Sequence, residues 1–207
     1  MALCFALSEE AAPFKKQCGE RVPIFYTGIG RFNAEKAVRE YLKTHAPGLL
    51  LTCGFAGGLE PGLKVGEVVF EVSANGSDSL LARMAAAGAK PAKILCVDKI
   101  ATTAGEKRKL RDETGADAAE MESGAVQAVC RAQGIACATV RVISDTADED
   151  LPLDFNQFLT PDKTLDMGKL MMAVAKAPWK MGALMDLQKK TKLAAQELAE
   201  VLKKIIE

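Results

Sequence analysis

Short apolar runs alternate with helical patterns over the first 145 residues, and this alternation constrains the fold more than any other feature. The first series reads ALCFAL, VPIFYTG, NAEKAVREYLKT, GLLLTCG and VGEVVFEV. The second reads DSLLARMAAAG, AKILCVD, TAGEKRKLRDETG, MESGAVQAVCRAQG and IACATVRVISD. Strands that are covered by helices on both faces of a sheet have this appearance. We therefore predict an α/β fold with a largely parallel sheet.

The length and the change of composition near residue 154 predict the domain organisation. A chain of 207 residues fits one hydrophobic core, because single cores stop growing only at about 250–300 residues. From Asp154 the sequence becomes rich in Leu, Met, Ala and Lys. One face of the last helical pattern is apolar and comprises Leu193, Ala194, Leu198, Val201, Leu202 and Ile205. We predict a single domain, 1–207, with a helical C-terminal extension from about 154 that serves packing or an interface.

Charge and cysteine usage exclude several classes of protein. The 27 basic residues balance 27 acidic ones, so the broad positive field of a nucleic-acid-binding protein is absent from the sequence. The six cysteines are scattered without C-x-x-C pairs, which argues for a reducing cytoplasm and against zinc. No apolar run approaches the roughly 18–20 residues of a membrane span, and MALCFAL lacks the basic start of a signal peptide. We expect a soluble cytoplasmic protein without a metal or cofactor.

Acidic and glycine-rich segments follow the predicted strands. Ser8, Glu9 and Glu10 follow ALCFAL, GIGR follows VPIFYTG, CGFAGG follows GLLLT, and Ser144 and Asp145 follow ACATVRVI. Ligands of open α/β sheets bind at the carboxyl ends of the strands. We therefore expect these turns to converge on one site. The only histidine is His45, after a predicted helix, so acid–base catalysis would fall to carboxylates.

Each motif also has an interpretation without a ligand. GFAGG could be a tight turn after a strand, and GIGRFNAEKAV lacks the G-x-G-x-x-G spacing and distant acid of a dinucleotide site. Asp145 could cap a turn, or, if partly buried in a cleft, keep a proton for a leaving group. Glu120 and Glu122 could be acids in a first helical turn. Met121 between them is better suited to a pocket wall.

Four segments together resemble the nucleoside phosphorylase/nucleosidase superfamily. They are TGIGRFNAEKAV, LTCGFAGGLEPGLKVGEVV, AAEMESGAVQAVC and TVRVISDTAD, within residues 3 to 150. The sequence is most similar to methylthioadenosine/S-adenosylhomocysteine nucleosidases and hopanoid-associated nucleosidases. The resemblance implies a three-layer nucleoside phosphorylase-like fold, with a central mixed β-sheet flanked by helices, and a site shared by purine and ribose.

The resemblance also implies roles for individual residues. Glu122 would bind the ribose 2′ and 3′ hydroxyls, and Met121 would pack against the sugar. Asp145 would be the acid at purine N7, oriented by Ser144. Glu10 would hold the attacking water, with Arg141 in the same polar network. The remaining predicted substrate-binding residues are Phe55, Ala56, Gly57 and Glu120.

Three carboxylates suit cleavage of an N-ribosyl bond, which needs an acid at the base, a positioned nucleophile and negative charge near an oxocarbenium-like sugar. The arginines that bind phosphate in related phosphorylases would fall in SEEAAPF and LLLTCGF, which contain none. Arg31 is the one basic candidate for a phosphate contact. Related nucleosidases commonly carry a basic residue at this position too, so Arg31 does not distinguish them from phosphorylases. We therefore expect a nucleosidase that releases adenine from a 5′-modified adenosine. The alternatives are a phosphate-dependent purine nucleoside phosphorylase and, because of Phe55 and the short segment 72–91, a non-catalytic nucleoside-binding protein.

Five of the eight methionines lie within nineteen residues around Trp179. They are Met167, Met171, Met172, Met181 and Met185. They could form a packed core stripe. The lysines in and just after this stretch would instead suit an interfacial helix on anionic lipid. They are Lys169, Lys176, Lys180, Lys189 and Lys190. The second interpretation predicts a large hydrophobic 5′ group, adenosylhopane-like, and peripheral membrane contact through the C-terminal helices of a homo-oligomer.

Overall fold

The computed structural model describes residues 1–73, 77–160 and 166–207, which form one eight-stranded sheet with helices on both faces. The strands are β1 Ala2–Phe5, β2 Ile24–Tyr26, β3 Leu49–Gly58, β4 Val68–Val72, β5 Lys90–Pro91, β6 Ile94–Cys96, β7 Ala118–Glu120 and β8 Ala136–Asp145. The helices are α1 Ser8–Cys18, α2 Arg31–Leu42, α3 Asp78–Ala86, α4 Ala104–Thr114, α5 Ser123–Ala132, α6 Met167–Lys176 and α7 Met181–Ile206. Two 3₁₀ turns, Phe155–Phe158 and Pro178–Lys180, flank α6.

The sheet is mixed, with its longest strands at the centre. The main order is β2-β1-β3-β8-β4-β5, and β7 pairs with both β3 and β6. The pairs β1–β2, β1–β3, β3–β8, β4–β5 and β6–β7 are parallel, whereas β3–β7 and β4–β8 are antiparallel. The three-layer α/β class and the largely parallel sheet predicted from the sequence are therefore confirmed.

Helices α1 and α7 cover one face of the sheet, and α2 and α5 cover the other. On the first face Phe14 and Leu198 pack with Leu3, while on the second Val38 and Val126 pack with Cys4. Five residues of the predicted apolar stripe on α7 are buried: Ala194, Leu198, Val201, Leu202 and Ile205. The sixth residue of the stripe, Leu193, is 46% exposed and lies at the edge of the buried stripe, beside Gly66.

The glycine-rich segment GFAGG is part of β3, so its prediction as a turn after the strand was wrong. Gly57 pairs with Asp145 of β8 and with Ala119 of β7. A Cβ atom on Gly57 would lie 3.3 Å from the Asp145 carboxylate, and one on Gly54 would lie 2.6 Å from Glu10 Oε1. The glycines therefore let the strand continue past two carboxyl groups that approach its backbone.

The acidic segment after β1 is the first turn of α1, not the turn that the sequence predicts. Helix α1 begins at Ser8 and includes Glu9, Glu10 and Pro13. Acidic side chains are favourable in a first turn because the helix macrodipole is positive there. Glu10 also accepts a hydrogen bond from the Leu7 backbone N–H at 2.9 Å, which satisfies one of the free donors at the helix start.

The methionine-rich segment lies largely at the surface, so the prediction of a packed core stripe was wrong there. Trp179 is 77% exposed, and four methionines of the segment are also exposed: Met171, Met172, Met181 and Met185. The prediction for the Met167 side chain falls outside the described residues. Within the described ranges no helix combines the length and the apolar composition of a membrane span.

Candidate active site

A cavity of about 270 Å³ opens where the carboxyl ends of β1, β3 and β8 meet β7. Nine of the ten site residues predicted from the sequence line it: Glu10, Phe55, Ala56, Gly57, Glu120, Met121, Glu122, Ser144 and Asp145. Arg141 is the exception, because it projects from the middle of β8 and lies beneath the cavity, paired with Glu120. The structure thus brings together residues that are up to 135 positions apart in the sequence.

Glu10 is held by backbone donors at both carboxylate oxygens. The Leu7 N–H donates to Oε2 and the Phe55 N–H donates to Oε1, each at 2.9 Å. Burial raises the pKa of Glu10, and the two backbone hydrogen bonds oppose that rise. Because the side chain is fixed by α1 and β3, it can orient a small polar molecule in the cavity.

Glu120 and Arg141 form a buried ion pair under the cavity. Arg141 Nη2 lies 2.5 Å from Glu120 Oε2 and also donates to Thr52 Oγ1 at 3.1 Å. Ser123 donates to Glu120 through its hydroxyl at 2.6 Å. Burial opposes ionisation of Glu120, but Arg141 and Ser123 outweigh it and lower the pKa of this carboxyl. Glu120 is therefore a fixed negative charge.

Glu122 is the second carboxyl near Arg141, and its environment differs. The Gly30 N–H donates to Glu122 Oε1 at 2.7 Å, which brings the GIGR segment to the site. Arg141 Nη2 is 3.8 Å from Glu122 Oε2. Burial, together with the negative charge of Glu120, raises the pKa of Glu122 to about 7. Glu122 can therefore change its charge near neutral pH, and Met121 beside it is buried against the cavity.

Asp145 makes two side-chain contacts, one of which the sequence analysis missed. The Ser144 hydroxyl donates to Asp145 Oδ1 at 2.7 Å, consistent with an orienting contact. Lys107 Nζ, only 1% exposed, lies 2.6 Å from Asp145 Oδ2. Asp145 is therefore held by a hydroxyl donor on one oxygen and by a buried ammonium group on the other.

Four further residues that shape the site were missed by sequence reasoning. Gly30 contacts Glu122, and Thr52 contacts Arg141. Gly54 leaves room for Glu10, and Lys107 contacts Asp145. The glycine motifs indicated the first and third. No local signal separates Lys107 from the other charges of EKRKLRDE, since only the tertiary fold buries it.

The described lining of the cavity contains neither lysine nor arginine. Arg31, the basic residue next to GIG, is half exposed and forms an ion pair with Asp98 at 3.3 Å. It also donates to the Cys96 carbonyl oxygen. A phosphate dianion usually needs forked arginine contacts or a backbone nest. The cavity lining instead suits hydroxyl groups and a neutral ligand.

Curated nucleosidases are similar to this chain over most of their length. The aminodeoxyfutalosine nucleosidase of Campylobacter jejuni is 27% identical over 176 residues, which are 70% of this chain and 77% of the relative. A 5′-methylthioadenosine/S-adenosylhomocysteine nucleosidase of an Exiguobacterium species is 28% identical over 188 residues, with coverage of 75% and 80%.

Solved structures share the fold. The futalosine hydrolase of Helicobacter pylori has a TM-score of 0.72 at 20% identity, covering 99% of this chain and 96% of that chain. The methylthioadenosine/S-adenosylhomocysteine nucleosidase of Neisseria meningitidis, in complex with methylthio-immucillin-A, has a TM-score of 0.73 at 18% identity, covering 99% and 97%.

The family model described as the phosphorylase superfamily matches residues 14–74 and 77–207. These ranges include the glycine-rich strand β3, the two glutamates flanking Met121, and Asp145 at the end of β8. The matched ranges, the mixed sheet and the cavity at its carboxyl ends agree with one another. This chain belongs to the phosphorylase superfamily.

Proposed function

We propose that this protein is a nucleosidase that hydrolyses the N-glycosidic bond of a 5′-modified adenosine and releases adenine. The observation that carries the proposal is the convergence of Glu10, Glu122 and Asp145 on one cavity. Cleavage of an N-ribosyl bond develops positive charge on the sugar and negative charge on the base. Carboxyl groups in different environments can stabilise the first and protonate the second.

Each side chain has a place in this reaction. Glu122 accepts hydrogen bonds from the ribose 2′ and 3′ hydroxyls, while Met121 packs against the sugar. Asp145, oriented by Ser144, gives a proton to N7 of the leaving adenine, and Glu10 orients the water that attacks C1′. Arg141 and Glu120 lie below and fix the electrostatic environment of Glu122. Phe55, Ala56 and Gly57 line the cavity, and we assign them to the wall beside the base.

Phosphate dependence is the direct test of this function. We expect adenine release from methylthioadenosine at the same rate with and without phosphate, because the described cavity lining offers phosphate no cationic side chain. The measurement is adenine and sugar product by chromatography. A rate that scales with phosphate and yields 5-methylthioribose 1-phosphate would identify a phosphorylase. Tight nucleoside binding without adenine release would identify a binding protein.

An apolar wall supports a hydrophobic 5′ substituent. Leu151, Phe155 and Leu187 line the cavity and come from the C-terminal third of the chain. The two curated relatives are named for different nucleosides, so similar chains differ in substrate. We infer an adenosylhopane-like substrate, and the test is a competition of methylthioadenosine, aminodeoxyfutalosine and a long-chain 5′-alkyl adenosine. A preference for either of the first two would contradict the hydrophobic 5′ group.

The exposed methionine-rich segment supports peripheral contact of a cytoplasmic homo-oligomer with an anionic membrane. Met171, Met172 and Trp179 are exposed next to Lys176 and Lys180, as in helices that bind at lipid interfaces. Trp179 is the single tryptophan of the chain, so its fluorescence reports on this segment alone. We expect a blue shift with anionic vesicles and none with neutral vesicles. A blue shift that depends only on protein concentration would instead assign the segment to a contact between copies.

A further inference from the structure

Lys107 is a buried ammonium group with all three of its donors used. Its Nζ lies 2.6 Å from Asp145 Oδ2 and donates to the carbonyl oxygens of Thr146 at 2.7 Å and Glu149 at 2.8 Å. Lys107 belongs to helix α4, and its side chain is 1% exposed. An ammonium group has three N–H donors and no acceptor. The cluster is therefore complete as an ammonium–carboxylate pair.

This geometry conflicts with a simple acid role for Asp145. In the ion pair the aspartate is a carboxylate, and a carboxylate has no proton to give to a leaving base. Asp145 Oδ1 accepts a hydrogen bond from Ser144 Oγ, and Oδ2 contacts Lys107 Nζ. The ammonium group of Lys107 is therefore the proton donor at Oδ2. Gly57 lies beside Asp145 Oδ2, and both residues line the cavity. Because Gly57 has no side chain, none separates this oxygen from the cavity.

We propose that Lys107 stores the proton that Asp145 delivers to the departing base. The inference rests on the proposed nucleosidase function. Lys107 acts through Asp145 and does not contact the substrate, so it is a positioning residue and a proton reservoir. Lysine is among the side chains that serve in acid–base catalysis. The pair holds one transferable proton in a single unit.

The proton and electron movements balance. As the C1′–N9 bond breaks, its electron pair goes to the base, N7 takes a proton from Asp145, and Asp145 takes one from Lys107 Nζ. The neutral amine keeps two N–H groups, which still donate to the carbonyl oxygens of Thr146 and Glu149. Water adds its oxygen to C1′ and releases a proton toward Glu10. Exchange with solvent after product release returns a proton to Lys107.

Other charged groups near the pair have partners of their own or face the sugar. Glu149 pairs with Lys190, Asp150 accepts from the Ala104 N–H at 2.7 Å, and Asp186 pairs with Lys189. On the cavity side the charged groups are Glu10, Glu120 and Glu122, which are held by backbone donors or by Arg141. Lys107 is thus the cation in contact with Asp145 among the described residues.

The test is the pH dependence of kcat in Lys107→Gln. Glutamine keeps N–H donors for the two carbonyl oxygens but has no proton to pass on. We expect the wild-type kcat to be nearly flat from about pH 7 to 9, and the variant kcat to fall about tenfold per pH unit there, because Asp145 must then hold the proton alone. The KM should change little. Lys190→Gln is the matched control, since Lys190 pairs with the Glu149 side chain, and its profile should follow the wild type.

Several outcomes would overturn the inference. One is a Lys107→Gln profile parallel to that of the wild type, because a uniform loss indicates a purely structural role. Another is full activity in Lys107→Arg, since arginine keeps the charge but does not release its proton. If neither variant folds, a wild-type kcat that falls tenfold per pH unit over the same range contradicts the reservoir. A wild-type protein that releases no adenine refutes the proposed function itself, which separates the two failures.

Discussion

Asp145→Asn is expected to lower kcat by about 10²–10⁴-fold, the usual contribution of a positioned acid or base. The amide has nearly the shape of the carboxyl group, and its oxygen can still accept from Lys107 while its nitrogen faces Ser144. It cannot carry a proton to N7. Nucleoside affinity should change little, because in the proposed function the ribose is bound by Glu122 and not by Asp145. Single-turnover adenine release and equilibrium binding measure the two effects separately.

The control for this variant is Asp78→Asn, which changes an exposed aspartate in the first turn of α3. Its turnover should equal that of the wild type. Because Asp145→Asn leaves a buried lysine without a counter-charge, thermal unfolding must show that the variant is folded at the assay temperature. A folded variant with wild-type turnover would remove Asp145 from the mechanism.

Glu122→Gln is expected to weaken nucleoside binding and to remove its pH dependence. Hydrogen bonds to a charged group contribute about 1.5–3 kcal/mol, so the loss should be about tenfold to 100-fold in Kd. Burial and the neighbouring Glu120 raise the pKa of Glu122 to about 7. In the proposed function the ribose hydroxyls donate to the ionised form, so wild-type binding should strengthen as the pH rises through that value. The glutamine variant should bind equally across the range.

The measurement is calorimetric binding of a nucleoside that cannot be hydrolysed. Because no chemical step occurs, the measured affinity does not depend on catalysis by Glu10. A 2′-deoxy analogue should bind the wild type more weakly and the variant no differently from the ribo analogue. Glu35→Gln, which removes an exposed glutamate paired with Arg39 on α2, is the matched control. Equal binding of ribo and deoxyribo analogues by the wild type would exclude Glu122 from ribose recognition.

Local sequence patterns predicted the α/β class of the fold and most of the polar residues that line the cavity. Continuous apolar runs are typical of strands covered on both faces, and β8, buried at every residue after Ala136, is the clearest example. Its last residue, Asp145, faces the cavity for the same reason that ligands collect at the carboxyl ends of strands. The resemblance to a known family added roles that spacing alone could not assign.

Element boundaries were predicted less well where a contact distant in sequence decides the local structure. GFAGG has the composition of a turn, yet it continues β3 because Gly54 and Gly57 leave room for Glu10 and Asp145. The segment after β1 contains Pro13 and two adjacent acids, and α1 forms there with its apolar side against α7. Leu193 and the methionines around Trp179 have helical spacing, but spacing does not show whether a neighbouring surface covers them.

The sequence by itself determined the α/β class, because the alternation of apolar runs and helices is a local property of the chain. It also indicated carboxyl groups that line the cavity, among them Glu120 and Glu122. Only the tertiary structure decided their charges, because these depend on burial and on partners that are distant in the chain. Glu120 and Glu122 are two residues apart, yet Arg141 lowers the pKa of the first while burial raises that of the second. Lys107 likewise differs from its neighbours on α4 only because the fold buries it against Asp145.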